Sequence, residues 1–277
     1  MTEIKMHICG CVKDTGKYLH DVFKNIEQIC SILNDYHIII AYDTSTDNSL
    51  EILRHYKEKY KSKFSLIIGE VEPSEIRTEN IANARNSILN EMLRLGQEDF
   101  HYFSMIDMDD VCAKHMNIDV LKHIIDKERT TPLEWDALSF NKTRYYDLWA
   151  LSIYPYTFSV LHYQHTYKIK QGMLNLLQKQ FTNAVKTNGN NGLVNCLSAF
   201  NGFAIYRTNK FKNVRYEWNV RKLLEIYPKQ SIDIMSKHVW QEPKPRLDDC
   251  EHRYYHIRAS LLNKARICIS PMCLFQS

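Results

Sequence analysis

Residues 37–53 read HIIIAYDTSTDNSLEIL. The run HIIIAY (37–42) is short, apolar and rich in β-branched residues, as a buried strand requires. Asp43 ends it. Thr44 to Asn48 are the residue types that make turns, and Asp47 or Asn48 can cap a helix that Ser49 opens over 49–60. An acidic side chain thus stands where a buried strand gives way to a polar turn.

The same unit repeats outward from this stretch. Residues 5–12 (KMHICGCV), 64–69 (FSLIIG) and 100–106 (FHYFSMI) read as further strands. Leu19, Val22, Phe23, Ile26, Ile29 and Leu33 recur at helical spacing and predict an amphipathic helix over 16–33. Another helix is predicted at 79–95. Strand and helix therefore alternate through 1–110, which predicts an α/β fold: a Rossmann-like, mostly parallel sheet with helices on both faces. Ligands of such sheets bind beyond the carboxyl ends of the strands. Asp43, Asp107, Asp109 and Asp110 all fall there.

Asp107-Met108-Asp109-Asp110 carries the clearest chemistry. Alternate residues of an extended segment project the same way, so Asp107 and Asp109 can converge. Two carboxylates that close repel unless a cation lies between them. Mg²⁺ or Mn²⁺ takes one or two carboxylates together with substrate phosphates. The acidic triplet can equally be a loop or cap feature, and its context decides.

After Asp110 the pattern changes. Residues 117–126 read as a helix and 135–141 (WDALSFN) as a strand. Residues 145–152 (YYDLWALS) are an aromatic-rich segment, and part of 153–192 (171–181) is helical. Residues 187–192 (TNGNNG) read as a loop. Residues 195–211 read as strand, turn at Asn201-Gly202, and strand. Residues 247–260 read as a loop entering a helix, and 265–275 as a last strand interrupted by Pro271. Residues 1–277 are expected to form one domain, 1–110 as a nucleotide-binding half and 111–277 as an acceptor-binding half.

Composition sets bounds. The chain has 277 residues, 44% hydrophobic and 25% charged, as folded proteins do. A net charge of +4 gives no footprint for nucleic acid. The eight cysteines form no C-x2-C pair, which argues against zinc and for buried, reduced thiols. No glycine-rich phosphate loop of the dinucleotide, P-loop or kinase type occurs. No apolar run reaches the length of a membrane span or matches a signal peptide, so a cytoplasmic location is expected.

Residues 43–49 (DTSTDNS) resemble the DDGSTDNS stretch of nucleotide-sugar glycosyltransferases of the GT-A fold, with Tyr42 and Thr44 departing at its first Asp and its Gly. The DxD follows later in the chain, as in that fold. Residues 77–89 (RTENIANARNSIL), 135–141, 145–152, 199–207 (AFNGFAIYR) and 248–258 (DDCEHRYYHIR) resemble blocks of the fungal capsule-associated mannosyltransferase family. The membrane anchor common in the eukaryotic enzymes is missing, so soluble bacterial and viral relatives fit better.

The resemblance implies roles. Asp43 contacts the nucleoside, Arg85 the diphosphate or donor sugar, and Asp107 the ribose or sugar. Asp109 binds Mn²⁺ or Mg²⁺, with Asp107 and Asp110 as further candidates. Phe200, Asn201 and Gly202 line the acceptor pocket. Asp248, Asp249 and Glu251 are the acids near the reacting sugar, Asp249 or Glu251 being preferred as base. His252 and His256, one turn apart, can complete the metal shell or simply pack among tyrosines. Trp135, Tyr145, Tyr146 and Trp149 can stack on a sugar or fill the core. The implied reaction moves a sugar from a UDP- or GDP-sugar to a glycan hydroxyl. Its rivals are a nucleotidyltransferase making nucleotide sugars and a glycan-binding protein of transferase fold.

Overall fold

A computed structural model describes residues 2–69, 74–163, 165–227, 229, 232 and 248–276. Alternation of strand and helix holds through the first half: β1 (Lys5–Val12), α1 (Gly16–Ser31), β2 (Asp35–Tyr42), α2 (Ser49–Tyr60), β3 (Phe64–Ile68), α3 (Arg77–Leu95) and β4 (Tyr102–Asp107). β1 pairs in parallel with β2 and β4, and β2 with β3. The carboxyl ends of these four strands therefore share one edge.

The second half extends the same sheet. Its elements are α4 (Ile118–Thr130), β5 (Ala137–Asn141), α5 (Thr166–Thr187), β6 (Val194–Cys196), β7 (Phe203–Arg207), α6 (Thr208–Phe211), α7 (Val220–Ile226), α8 (Glu251–Asn263) and β8 (Ile267–Cys273). The eight strands run in the order β3-β2-β1-β4-β7-β5-β8-β6. β7 lies antiparallel between β4 and β5, and β5 pairs in parallel with β8. The expected strand–turn–strand over 195–211 is not a hairpin. β6 pairs with β8 instead, and β5 and β8 separate it from β7. Six residues divide β6 from β7, too many for a tight turn to dictate pairing. The break expected at Pro271 is a register shift, Phe140 facing Ser270 and Asn141 facing Cys273. α5 is longer than the predicted 171–181. The expected segment 247–260 begins at Leu247, outside the described residues.

Period-two alternation splits the core between the sheet's faces. Ile8, Ile38, Ile40 and Ile106 pack with α1, α2 and α4. Cys9, Ile39, Phe103 and Met105 pack with α3 and α8. All eight cysteines are free thiols. Among the described residues no helix is long and apolar enough to cross a membrane.

The turn entering β7 fixes the carboxyl edge. Asn201 and Gly202 both have positive φ, 62° and 93°. The Gly202 carbonyl accepts the Asp107 N–H at 2.8 Å. A Cβ on Gly202 would lie 2.6 Å from Val111 Cγ1, in the loop after the DxD. Gly202→Ala should cost ~1–3 kcal/mol through strain and overpacking. Gly96, with φ 61° and nothing within 4 Å of its added Cβ, supplies the control. Thermal denaturation should show a larger drop for Gly202→Ala than for Gly96→Ala; equal drops would refute the packing constraint.

Candidate active site

The two turns beyond β1 and β2 are tied together by the polar residues of 43–49. Ser45 Oγ accepts the Asp14 N–H at 2.9 Å, Ser49 Oγ the Thr15 N–H at 3.1 Å, and Asp47 Oδ2 the Gly16 N–H at 2.7 Å. Asp47 Oδ1 also accepts the Ser49 N–H at 3.0 Å, so Asp47 serves the first turns of both α1 and α2. Asp14 Oδ1 returns a bond to Thr46 N at 2.6 Å. Most of the stretch that signals the fold is thus spent joining two turns. Asp43 stays partly exposed at the edge, ion-paired to Lys13 at 2.8 Å.

Asp107 continues the row of Phe103 and Met105 on the α3 side, while Met108 turns into the opposite core. Gly10 makes room for it: a Cβ there would lie 2.6 Å from Met108 Cγ. Burying Met108 leaves Asp107 and Asp109 partly exposed, and Asp110 is exposed. Asp109 Oδ1 accepts the Val111 N–H at 3.0 Å. Asp107 Oδ2 accepts the Tyr146 hydroxyl at 3.1 Å. Burial, then the neighbouring charge of Asp109, raises the Asp107 pKa to about 7 against the pull of Arg85. Burial also raises that of Asp109, opposed by the Val111 N–H. Lys142, itself buried, donates to the Val111 carbonyl at 3.3 Å behind this loop.

Arg85 is a buried cation of the site. It bonds Glu251 at the start of α8 and His252 Nε2, and approaches Asp107 Oδ1 at 3.5 Å. Its guanidinium lies 4.9 Å from the centre of the Phe200 ring and 5.6 Å from that of Tyr216. Burial acts to lower its pKa, but Glu251 and Asp107 outweigh it, and the group stays charged. An arginine only donates, so His252 Nε2 must accept and Nδ1 carries the proton. Nδ1 faces the Tyr206 hydroxyl at 3.4 Å, that hydroxyl faces His256 Nε2 at 3.1 Å, and His256 Nδ1 faces Ser198 Oγ at 3.0 Å. Burial holds both imidazoles neutral, His256 with a pKa lowered to about 3. Each ring nitrogen is therefore used within the protein, and the pair is not brought to Asp109. Among the described residues no group of three His, Cys, Asp or Glu side chains is poised to hold a metal ion.

The remaining expected residues separate. Phe200 stacks on His252 at 3.9 Å and is buried beneath Arg85. Asn201 is buried too. Its Oδ1 accepts the N–H groups of Tyr146 and Asp147, both at 3.3 Å, and its amide donates to the Phe140 carbonyl at 2.9 Å. Phe200, Asn201 and Gly202 build the floor of the edge rather than an open wall. Trp135 and Tyr145 belong to the core, whereas Tyr146 is 43% exposed beside Asp107. Trp149 is partly buried and gives its carbonyl to Arg253. Nothing in the sequence pattern marks Lys142, and the signal for Asp147 is its place beside Tyr146 in YYDLWALS (145–152).

The C-terminal acids do unlike things. Glu251 faces Arg85. Asp248 is partly buried, and its backbone pairs with that of Asn219 in an isolated antiparallel β-bridge. Asp249 is buried, accepting Arg253 Nε at 2.8 Å and its own neighbour's N–H, that of Cys250, at 2.7 Å. Arg253 in turn holds the Leu151 carbonyl at 3.1 Å and the Ser152 hydroxyl. Asp249 is thus a strut between α8 and the 149–152 segment. Burial opposes its ionisation, yet Arg253 and His162 hold its pKa below the usual value. A depressed folded pKa gives stability above the unfolded value and loses it only as pH falls through the folded one. Asp249→Asn should therefore destabilise the protein by ~3–5 kcal/mol at pH 7, as removal of one partner from a buried pair does. The deficit in denaturant midpoint should shrink toward pH 3; a pH-independent deficit would contradict the pairing.

No protein-family model matches the chain, and neither does any curated protein. Solved structures do. S. aureus TarS 1–349 in complex with UDP aligns over 99% of this chain and 60% of its own, at 12% identity and a TM-score of 0.51. Glucosyl-3-phosphoglycerate synthase from Mycobacterium tuberculosis, with Mn²⁺, UDP and glucosyl-3-phosphoglycerate, aligns over 98% of this chain and 70% of its own, at 11% identity and a TM-score of 0.46. The mannosyltransferase PcManGT from Pyrobaculum calidifontis, with GDP-Man and Mn²⁺, aligns over 78% and 48%, at 12% and 0.42. The chain spans about 60% of the length of the TarS chain it matches. From the topology and the TarS likeness, the chain has the GT-A fold, a mostly parallel α/β sheet flanked by helices.

Proposed function

We propose that the chain is a metal-dependent glycosyltransferase that moves a sugar from a UDP- or GDP-sugar to a glycan hydroxyl. One observation carries this reading. Arg85 and the Asp107–Asp109 pair meet at the carboxyl edge of a GT-A sheet, next to the strand end that presents Asp43.

The charge pattern suits a diphosphate and a divalent cation together. Asp107 and Asp109 raise each other's cost of ionisation, and a cation between them would relieve it. Two carboxylates are an incomplete shell, the kind that substrate phosphates complete for Mn²⁺ or Mg²⁺. Asp109, with Asp107, would hold the ion, and Asp110 flanks them. The ion would supply charge stabilisation to the leaving diphosphate. Arg85 is held charged and oriented by Glu251, His252 and the two aromatic faces, so it meets developing negative charge without reorganising. Asp43 and Lys13 border the place of the nucleoside.

The nucleotidyltransferase alternative needs free backbone N–H groups after β1 to cradle a triphosphate. Those of Asp14, Thr15 and Gly16 are already bound by Ser45, Ser49 and Asp47. That observation favours sugar transfer.

Thermal shift with UDP, GDP, CMP and dTDP, each with Mn²⁺ or chelator, tests the reading. A nucleotide at 100 times its Kd should add ~2.7 kcal/mol, and only with metal. Asp109→Asn should abolish the metal-dependent part and sugar transfer with it; retention of both would refute the assignment. The pH dependence has a defined sign. With its pKa raised to about 7, Asp107 favours the metal-free fold at acid pH, an advantage lost as pH rises through 7. A metal ligand must be deprotonated. The Mn²⁺-dependent shift should therefore grow from pH 6 to pH 8, and a flat or inverted profile would exclude Asp107 from the metal site.

A further inference from the structure

We propose that Asp147 is the carboxylate that accepts the proton of the attacking hydroxyl, in place of the acids at the start of α8. The inference rests on the glycosyl-transfer reading and names the acceptor-side group within it.

The acids first expected in this role are committed elsewhere. Asp249 is buried and ion-paired with Arg253, and Glu251 is buried on Arg85. A base must have an oxygen free to face the reacting hydroxyl. Asp147 has that character. It is partly exposed, and among the described residues it makes no ion pair within hydrogen-bond reach. One oxygen, Oδ1, accepts the Ala150 N–H at 3.0 Å, and the Asn201 N–H also acts on the group, which fixes the carboxylate's orientation and leaves acceptor capacity for a hydroxyl.

Its position is equally constrained. β5 runs parallel to β8 and antiparallel to β7, so the chain leaves β5 at the same edge as the DxD. Buried Asn201 then clamps the backbone of Tyr146 and Asp147. Tyr146 reaches back to Asp107, which brings the segment against the carboxylates of the DxD. The charge of Asp147 is felt at Asp107 and Glu251, and Arg85 acts on it in return. Burial raises its pKa, while the N–H groups of Ala150 and Asn201 and the charges of Arg85 and Arg253 restrain the rise.

The step balances without another reagent. The acceptor oxygen forms its bond to the anomeric carbon as its proton passes to Asp147. The bond from that carbon to the diphosphate oxygen breaks, and its electron pair leaves on the nucleoside diphosphate. Asp147 then returns the proton to solvent. A single displacement of this kind inverts the anomeric centre.

The test uses the full chain with UDP-glucose, UDP-N-acetylglucosamine and GDP-mannose, Mn²⁺, and water as acceptor, reading nucleoside diphosphate release. Asp147→Asn keeps an oxygen for the Ala150 N–H. Its kcat should fall ~10²–10⁴-fold with the donor KM and the metal-dependent nucleotide thermal shift unchanged. Asp147→Gly should be inactive and regain turnover with added formate or azide. Turnover by Asp147→Asn within about threefold of wild type would overturn the proposal. Loss of the nucleotide shift in that variant, or no rescue of Asp147→Gly by either anion, would also overturn it. If wild type itself shows neither the nucleotide shift nor turnover of any of the three donors, the transferase reading fails, and this proposal with it.

Discussion

The arrangement of the edge depends on one buried guanidinium. Arg85 leaves α3, on one face of the sheet, and joins Glu251 and His252 of α8 to Asp107 of β4. A charge taken out of water is costly unless it is paired and fully hydrogen-bonded. Glu251 supplies the charge, His252 a neutral acceptor, and Phe200 and Tyr216 two aromatic faces. Because arginine only donates, the tautomer of His252 follows from it, and the chain of contacts runs on through Tyr206 and His256 to Ser198. A set of residues spread from position 85 to position 256 is thereby locked into one arrangement. What faces solvent is Asp107, still underpaired.

That underpairing has a geometric origin. Strand alternation sends Met108 into the core over Gly10 and leaves Asp107 and Asp109 side by side at the edge. Their mutual repulsion is held in place by Gly202, whose carbonyl anchors Asp107 and whose missing Cβ admits the following loop. Tyr146 and Lys142 approach from the other side. The edge is thus a fixed concentration of negative charge beside a fixed positive one.

Patterns of short range were legible in the sequence. β1, α2 and the end of β2 fall where their apolar runs and polar turns predict, because strand alternation and helix capping are set by neighbours in the chain. The later half was less legible. The stretch holding β6 and β7 reads as strand, turn and strand, yet each strand found different neighbours, since pairing across a sheet is decided by which strands arrive beside one another. The C-terminal acids show the same limit. Asp249 and Glu251 are two residues apart at the opening of α8, which points them in different directions, one to Arg253 and one to Arg85.

The sequence by itself determined the α/β alternation and the placing of Asp43, Asp107 and Asp109 at strand ends, because hydrophobic period and turn chemistry are local properties. Only the tertiary structure decided the rest. It turned His252 and His256 inward, made Asp249 a strut, gave Asn201 the task of clamping Tyr146 and Asp147, and brought Asp147 to the edge. Each of those outcomes depends on which buried polar group meets which partner across the fold, and that matching requires every buried donor and acceptor to be satisfied at once.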